Sequence, residues 1–233
     1  MIDVIAFDAD DTLWHNEHLY SQAKAYFQEA LAPYVDGRTA LAHLDAVEEH
    51  NVRIYGYGIK SFTLSMVEAA LALADGQPAG QLAAAALQIG RQMMDAELPF
   101  LDHAETTLAE LSAGYPLMLI TKGDTFEQQR KIERSGLARY FRYIEIVADK
   151  TPTTYHRLFT QHDFDPCGVL MVGNSLRSDI LPVLDIGGQA AYIHYENTWA
   201  HEHVDEATCE RYRFFQLAHL GELPALVRQL NGA

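Results

Sequence analysis

The chain has 233 residues, room for one large domain or for a core with a smaller insert. It is 48% hydrophobic and 21% charged, the balance of an ordinary globular chain, and its formal net charge of -15 argues against a nucleic-acid or anionic-membrane surface. A local cation or metal can override that sign, so a small phosphorylated ligand is not excluded. The two cysteines, Cys167 and Cys209, offer no disulfide framework and fit a reduced, cytoplasmic setting. Asp3, Asp8, Asp10 and Asp11 interrupt the stretch where a signal peptide would lie, and no apolar run is long enough to span a bilayer.

The first element is an apolar run from Ile2 to Phe7, broken only by Asp3, that reads as a buried strand. It stops in Asp8-Ala9-Asp10-Asp11-Thr12. Acidic residues at the carboxyl end of a buried strand stand where open α/β sheets place their ligand crevice. Strand alternation points Asp8 and Asp10 the same way. Paired carboxylates repel unless a cation or a shared proton intervenes, so one suits nucleophilic attack and the other general acid and base work. The plainer reading is an acidic turn.

From about Glu17 to Glu97 strand signals fade, apart from a brief patch at Val52 to Tyr57. Leu19, Ala23, Tyr26, Phe27, Ala30 and Leu31 form one helical stripe, and Phe62, Met66, Ala69, Ala70 and Leu73 another. Leu82 to Met94 is rich in Ala, Leu and Met. The stretch predicts a helical insert between the first and second strands. Gly56 and Gly58 mark a loop within it, either a plain connection or a lip touching substrate.

Four further apolar runs then predict strands, at Pro116 to Ile120, Tyr143 to Ala148, Gly168 to Val172 and Gln189 to His194. Thr125-Phe126-Glu127-Gln128 reads as a capping box with Gly136 as the stop, and Thr151-Pro152 as an N-cap with proline at the first helical position. Ile180, Leu181 and Leu184 run up to Gly187, and Leu220, Leu223, Val227 and Leu230 recur at helical spacing. Between these last two lie His194, Tyr195 and Trp199, which either line a pocket or pack a loop. Strands alternating with helices predict a mostly parallel sheet covered on both faces.

Each later strand also ends in polar residues. The second gives Thr121-Lys122-Gly123, where a hydroxyl, a glycine allowing close approach and a following helix N-terminus would cradle an anion. The third ends near Lys150. The fourth runs into Gly173-Asn174-Ser175-Leu176-Arg177-Ser178-Asp179, in which Asn174 and Asp179 supply oxygen ligands suited to magnesium, while Ser175 or Ser178 suits an N-cap.

This set of strand ends resembles the haloacid dehalogenase-like hydrolase superfamily along the whole chain. The resemblance implies an α/β Rossmannoid parallel sheet in the order 5-4-1-2-3, with residues 1–16 and 98–233 as core and 17–97 as a helical cap. It implies Asp8 as nucleophile, Asp10 as general acid and base, Thr121 holding a transferred phosphoryl group and Lys150 balancing its charge. It also implies Mg2+ on the Asp8 carboxylate, the Asp10 backbone carbonyl, Asn174 and Asp179. Substrate contacts fall on Thr121, Lys122 and Gly123, and the partner is a small phosphorylated metabolite rather than nucleic acid or membrane, for a monomer or homodimer.

Two positions depart from the family pattern. Asn174 stands where such phosphatases usually have aspartate, which predicts weaker magnesium binding and more weight on Asp179. Thr151 separates Lys150 from Pro152, so Lys122 is a second candidate for the phosphate-facing cation. The leading expectation is a magnesium-dependent phosphatase. A 2-haloacid dehalogenase, using the same aspartate without metal, is the alternative; Asp10 favours the phosphatase and Asn174 leans the other way. A non-catalytic binding protein on this fold is the third reading.

Overall fold

The computed structural model describes residues 1–74, 76–196, 202 and 204–232, so Trp199 lies outside the described residues. The chain divides into two compact units, one of Met1–Glu17, Leu98–Lys122 and Gln128–Ala233, the other of His18–Glu97 and Gly123–Glu127.

The first unit is built on six strands, β1 (Val4–Phe7), β2 (Leu117–Lys122), β3 (Tyr143–Val147), β4 (Val169–Gly173), β5 (Gln189–Ile193) and β6 (Phe215–Leu217). They form one parallel sheet in the order β3-β2-β1-β4-β5-β6. Read from the other edge this is the expected 5-4-1-2-3, with β6 added beside β5. Nothing in the sequence pattern singles out β6, because it is three residues long and only half-buried.

Burial on both faces explains the near-continuous apolar runs. Ile5, Phe7, Leu117, Leu119, Leu170 and Val172 face a core shared with Ala104 and Leu108 of α5 (Ala104–Ser112), Ile132 of α6 (Thr125–Ser135) and Val227 of α10 (Leu223–Leu230). The alternate residues Val4, Ala6, Met118, Ile120 and Met171 face Tyr155, Leu158 and Phe159 of α7 (Pro152–Gln161) and Val183 of α8 (Leu181–Leu184). A short α9 (Glu206–Cys209) precedes β6. Thr151 caps α7 as expected, its hydroxyl accepting from Thr154 N–H at 3.1 Å. The cap of α6 falls one residue earlier than expected: Asp124 accepts from Glu127 N–H at 2.9 Å. Gly136 ends that helix at φ 66°. Among the described residues, no helix is long and apolar enough to cross a membrane.

The second unit packs α1 (Glu17–Leu31), α2 (Gly37–Tyr55), α3 (Ile59–Leu73) and α4 (Gln77–Asp95). Leu19, Ala23, Phe27 and Leu31 of α1 meet Leu44, Phe62, Met66, Ala69, Ala70, Leu82 and Ala86 in one core. Tyr26 faces outward instead, with 57% of its surface exposed. The strand-like patch at Val52 to Tyr57 is the last turn of α2, which runs to Tyr55, and its exit, where Gly56 N–H donates to Val52 O. Gly56 and Gly58, at φ 77° and 122°, turn the chain into α3. There Ile59 N–H donates to Glu127 Oε2 at 2.8 Å and Lys60 pairs with Asp124 at 2.7 Å, which holds residues 123–127 to this unit. Glu127 thus serves α3.

Phe62 is fully buried, so Phe62→Ala is expected to cost about 3–5 kcal/mol through lost transfer energy and a residual cavity. Amide exchange measured by mass spectrometry is expected to quicken in α1–α4 and stay slow in β1 and β4. Equal loss of protection in both units would show that they unfold together.

Candidate active site

Asp8 follows β1 directly, and its N–H donates to Val172 O at 2.9 Å, keeping it in register with β4. Its carboxylate is buried. Lys150 Nζ lies 2.5 Å from Asp8 Oδ1 and 2.6 Å from Asp179 Oδ1, on a side chain only 2% exposed. Asp179 Oδ2 accepts from Ser175 N–H at 3.0 Å. A Cβ at residue 173 would sit 2.3 Å from Asp179 Oδ2, which is why β4 ends in glycine. Leu176–Ile180 forms a single π-helical turn, anchored by the buried Tyr155 hydroxyl, which donates to Ser178 O at 3.0 Å. Ser175 caps this turn as expected, accepting from Ser178 N–H at 2.9 Å.

Two carboxylates thus share one buried ammonium. Burial pushes the Asp8 carboxyl up to about 7, against the pull of Lys150 and with a further push from Asp179. Burial also works against charge on Lys150, yet Asp179 and Asp8 outweigh it and hold the ammonium well above its ordinary value. Lys150 therefore faces Asp8.

The other Asp8 oxygen, Oδ2, lies 3.0 Å from Thr12 Oγ1, and Asn174 Oδ1 lies 3.2 Å from that same hydroxyl. A threonine hydroxyl has one hydrogen, and both neighbours only accept. When Asp8 is ionised, Thr12 therefore satisfies at most one of the two oxygens, an arrangement that suits a hard cation. Among the described residues no group of three His, Cys, Asp or Glu side chains could hold a metal by itself. A carboxylate, an amide oxygen and backbone carbonyls nevertheless make the all-oxygen donor set that magnesium takes, usually with several waters. The donors fit the ion.

Asp10 is held by three donors. Trp14 Nε1 reaches Oδ1 at 2.6 Å, while Gln128 Nε2 at 3.1 Å and Lys131 Nζ at 2.9 Å reach Oδ2. Lys131 also bonds Asn16 Oδ1 at 2.8 Å. Gln128 Nε2 further donates to Thr121 Oγ1 at 2.5 Å, so one amide touches both Asp10 and Thr121. Gln128 and Lys131 lie three apart on one face of α6, and sequence reasoning missed both, because polar residues at that spacing are ordinary on an exposed helix face.

Beyond Thr121, Lys122 Nζ bonds Ser178 Oγ at 3.0 Å and Glu202 Oε1 at 2.7 Å. Gly123 follows at φ 147°, a value that side chains rarely allow. The other Glu202 oxygen, Oε2, accepts from Ser178 Oγ at 2.5 Å and from Ser175 Oγ. Burial alone would raise the Glu202 carboxyl, but Lys122 and the two hydroxyls hold it down at about 2. No pattern in the sequence pointed to Glu202. Asp11, at φ 60°, accepts from Asn16 N–H at 2.8 Å and Glu17 N–H at 3.1 Å, where the chain enters α1. Tyr195 is packed inside the loop after β5, its hydroxyl 3.0 Å from His15 Nδ1, whereas His194 is exposed beside Tyr192.

Because the folded value for Glu202 lies below the unfolded 4.5, its contribution to stability is present above about pH 4.5 and disappears as pH falls toward 2. The stability difference between wild type and Glu202→Gln, from denaturant titrations, is expected to be largest near neutrality and to shrink between about pH 5 and pH 3. A difference independent of pH would show that the carboxylate is not stabilised by these donors.

Comparison with known proteins bears on this geometry. No curated protein matches the chain. Among solved structures, a haloacid dehalogenase-like family hydrolase from Xanthomonas campestris is 37% identical, with a TM-score of 0.87 over 99% of this chain and 92% of that one. A 2-haloacid dehalogenase from Pseudomonas syringae pv. Tomato (19% identity, TM-score 0.63, 99% of this chain and 100% of that one) shares the fold. So does the magnesium-bound HAD-hydrolase YfnB from Bacillus subtilis (15% identity, TM-score 0.66, 97% and 99%). A family model for haloacid dehalogenase-like hydrolases matches residues 2–187, a span that runs from the strand before Asp8 past Asp179. The chain belongs to the haloacid dehalogenase-like hydrolases.

Proposed function

We propose that the chain hydrolyses a small phosphomonoester with the help of magnesium, by way of an aspartyl-phosphate on Asp8. The observation that carries this reading is the Gln128 amide, which bonds Asp10 and Thr121 together. Displacement of halide from carbon needs no acid, whereas an alkoxide leaving group does, so a carboxyl group held at Asp10 favours cleavage of a phosphoester. Thr121 Oγ1 accepts from Gln128, which leaves the hydroxyl's own hydrogen for an anionic ligand.

In this mechanism an Asp8 oxygen attacks phosphorus and the bond to the ester oxygen breaks. Asp10 gives that oxygen its proton, and the alcohol departs. Asp10 then takes a proton from water as the water attacks the phosphorus of the aspartyl-phosphate, which releases inorganic phosphate and restores Asp8. Lys150 and Thr121 stabilise charge on the phosphoryl oxygens. Magnesium, held by Asp8, Asn174 and the Asp10 carbonyl with Asp179 nearby, would neutralise charge on the same group. The helical unit of residues 18–97 is read as a cap that selects substrate, and Gly56 to Gly58 as part of its connection.

A second reading, a metal-independent 2-haloacid dehalogenase, draws on Asn174, which takes one charge out of the cation site. A panel of phosphomonoesters and haloacids, assayed with magnesium and with chelator, separates the two. Turnover of a phosphomonoester only with metal supports the phosphatase; halide release in chelator overturns it.

Asp8→Asn is expected to lower turnover by on the order of 10⁴–10⁶-fold with the fold intact by circular dichroism, because an amide does not attack phosphorus. Full activity in that variant would remove Asp8 from the mechanism.

Asn174→Asp is expected to tighten magnesium binding in isothermal titration, since it adds a negative ligand. Unchanged affinity there would place the metal elsewhere.

A further inference from the structure

We propose that Lys122, Ser175 and Ser178 form a second anion subsite, which receives a carboxylate carried by the substrate away from its phosphoryl group. Glu202 is its internal occupant, displaced when substrate binds. The proposal deepens the hydrolase reading and rests on it for the identity of the substrate's other end.

The subsite is already shown holding the group it is built for. One carboxylate oxygen takes the Lys122 ammonium at 2.7 Å, and the other takes the Ser178 hydroxyl at 2.5 Å and the Ser175 hydroxyl. Those donors serve two oxygens in different ways, which suits a planar carboxylate. The hosts are fixed: both serines are buried, and Ser178 Oγ accepts from Lys122 Nζ at 3.0 Å while Ser175 Oγ accepts from Ser178 N–H at 2.9 Å. Each hydroxyl is thereby oriented with its hydrogen toward the occupant.

The subsite is also adjacent to the chemistry. Lys122 is the chain neighbour of Thr121, Ser175 of Asn174, and Ser178 of Asp179. Ser175 N–H also donates to Asp179 Oδ2 at 3.0 Å, and Asp179 shares the Lys150 ammonium with Asp8, so a ligand whose phosphoryl group meets Asp8 can carry a carboxylate to these donors. Exchange of one carboxylate for another keeps the charge around Lys122 balanced, so substrate displaces Glu202 without leaving a buried ammonium unpaired. Glu202 comes from the segment after β5, while its hosts end β2 and follow β4.

The test uses the whole chain carrying Asp8→Asn, which holds ligand without turning it over, in isothermal titration with magnesium present. Phosphoglycolate is compared with ethyl phosphate, and 3-phosphooxypropionate with propyl phosphate. Adding Glu202→Gln is expected to raise the preference for acid over ester by about tenfold, the factor that follows if Glu202 fills the subsite nine-tenths of the time. Adding Ser178→Ala, or Lys122→Met, is expected to lower that preference, and Ser178→Ala carries the test if the lysine variant does not fold. The same preference in every variant overturns the subsite, as does a weaker preference in Glu202→Gln. If the acids bind with the expected preferences and the wild-type chain hydrolyses none of the four esters, the subsite stands and the hydrolase reading falls.

Discussion

Two aspartates and one lysine, buried together at the ends of the strands, constrain everything around them. Lys150 answers both Asp8 and Asp179, so the group carries one negative charge more than it can balance. Removing a partner from such a set is expensive, on the order of 3–5 kcal/mol, because it strands a charge away from water. The surroundings are shaped to keep it whole. Gly173 yields its side chain to Asp179, the Ser175 backbone donates to it, and Tyr155 pins the π-helical turn that carries it. Excess negative charge of this kind favours a cation nearby.

The outline of the sheet was legible because β1 to β5 are short apolar runs buried on both faces, and each ends abruptly in polar residues. Those endings also exposed Asp8, Asp10, Thr121, Lys150 and Asp179, since carboxylates and hydroxyls stand out against an apolar run. Gln128 and Lys131 were not legible. They reach Asp10 from a helix whose turns look like any solvated surface, and only the fold brings them to the strand end. Glu202 is a still harder case, lying in neither strand nor helical stripe. The brief strand signal at Val52 to Tyr57 arises because β-branched and aromatic residues close α2, where a helix already under way carries residues of weak helix preference. Thr125 and Gln128 have the spacing of a capping box, but Asp124 is the cap and Gln128 bonds Asp10 and Thr121.

Lys122 and Lys150 show how position decides the work of like residues. Both follow or close a strand of the same sheet, and sequence alone gave either one the phosphate. Lys150 is committed to carboxylates on two neighbouring strand ends, while Lys122 engages hydroxyls and a carboxylate from a distant segment. A carboxylate held that firmly adds to stability while occupying space near the chemistry, the kind of opposition between stability and activity that functional sites carry.

The connectivity of β1 has a consequence for how the chain acquires its structure. β1 pairs with β2 through Ile5 and Leu117, and with β4 through Val4 and Val169. On a ribosome, β1 emerges before either of its neighbours and waits for both, while α1 to α4 already have one another. Long-range parallel pairing is slow and leaves apolar strands open to wrong partners. The aspartates that follow β1 are therefore also its early guard, placing charge beside an apolar strand before the sheet exists to cover it.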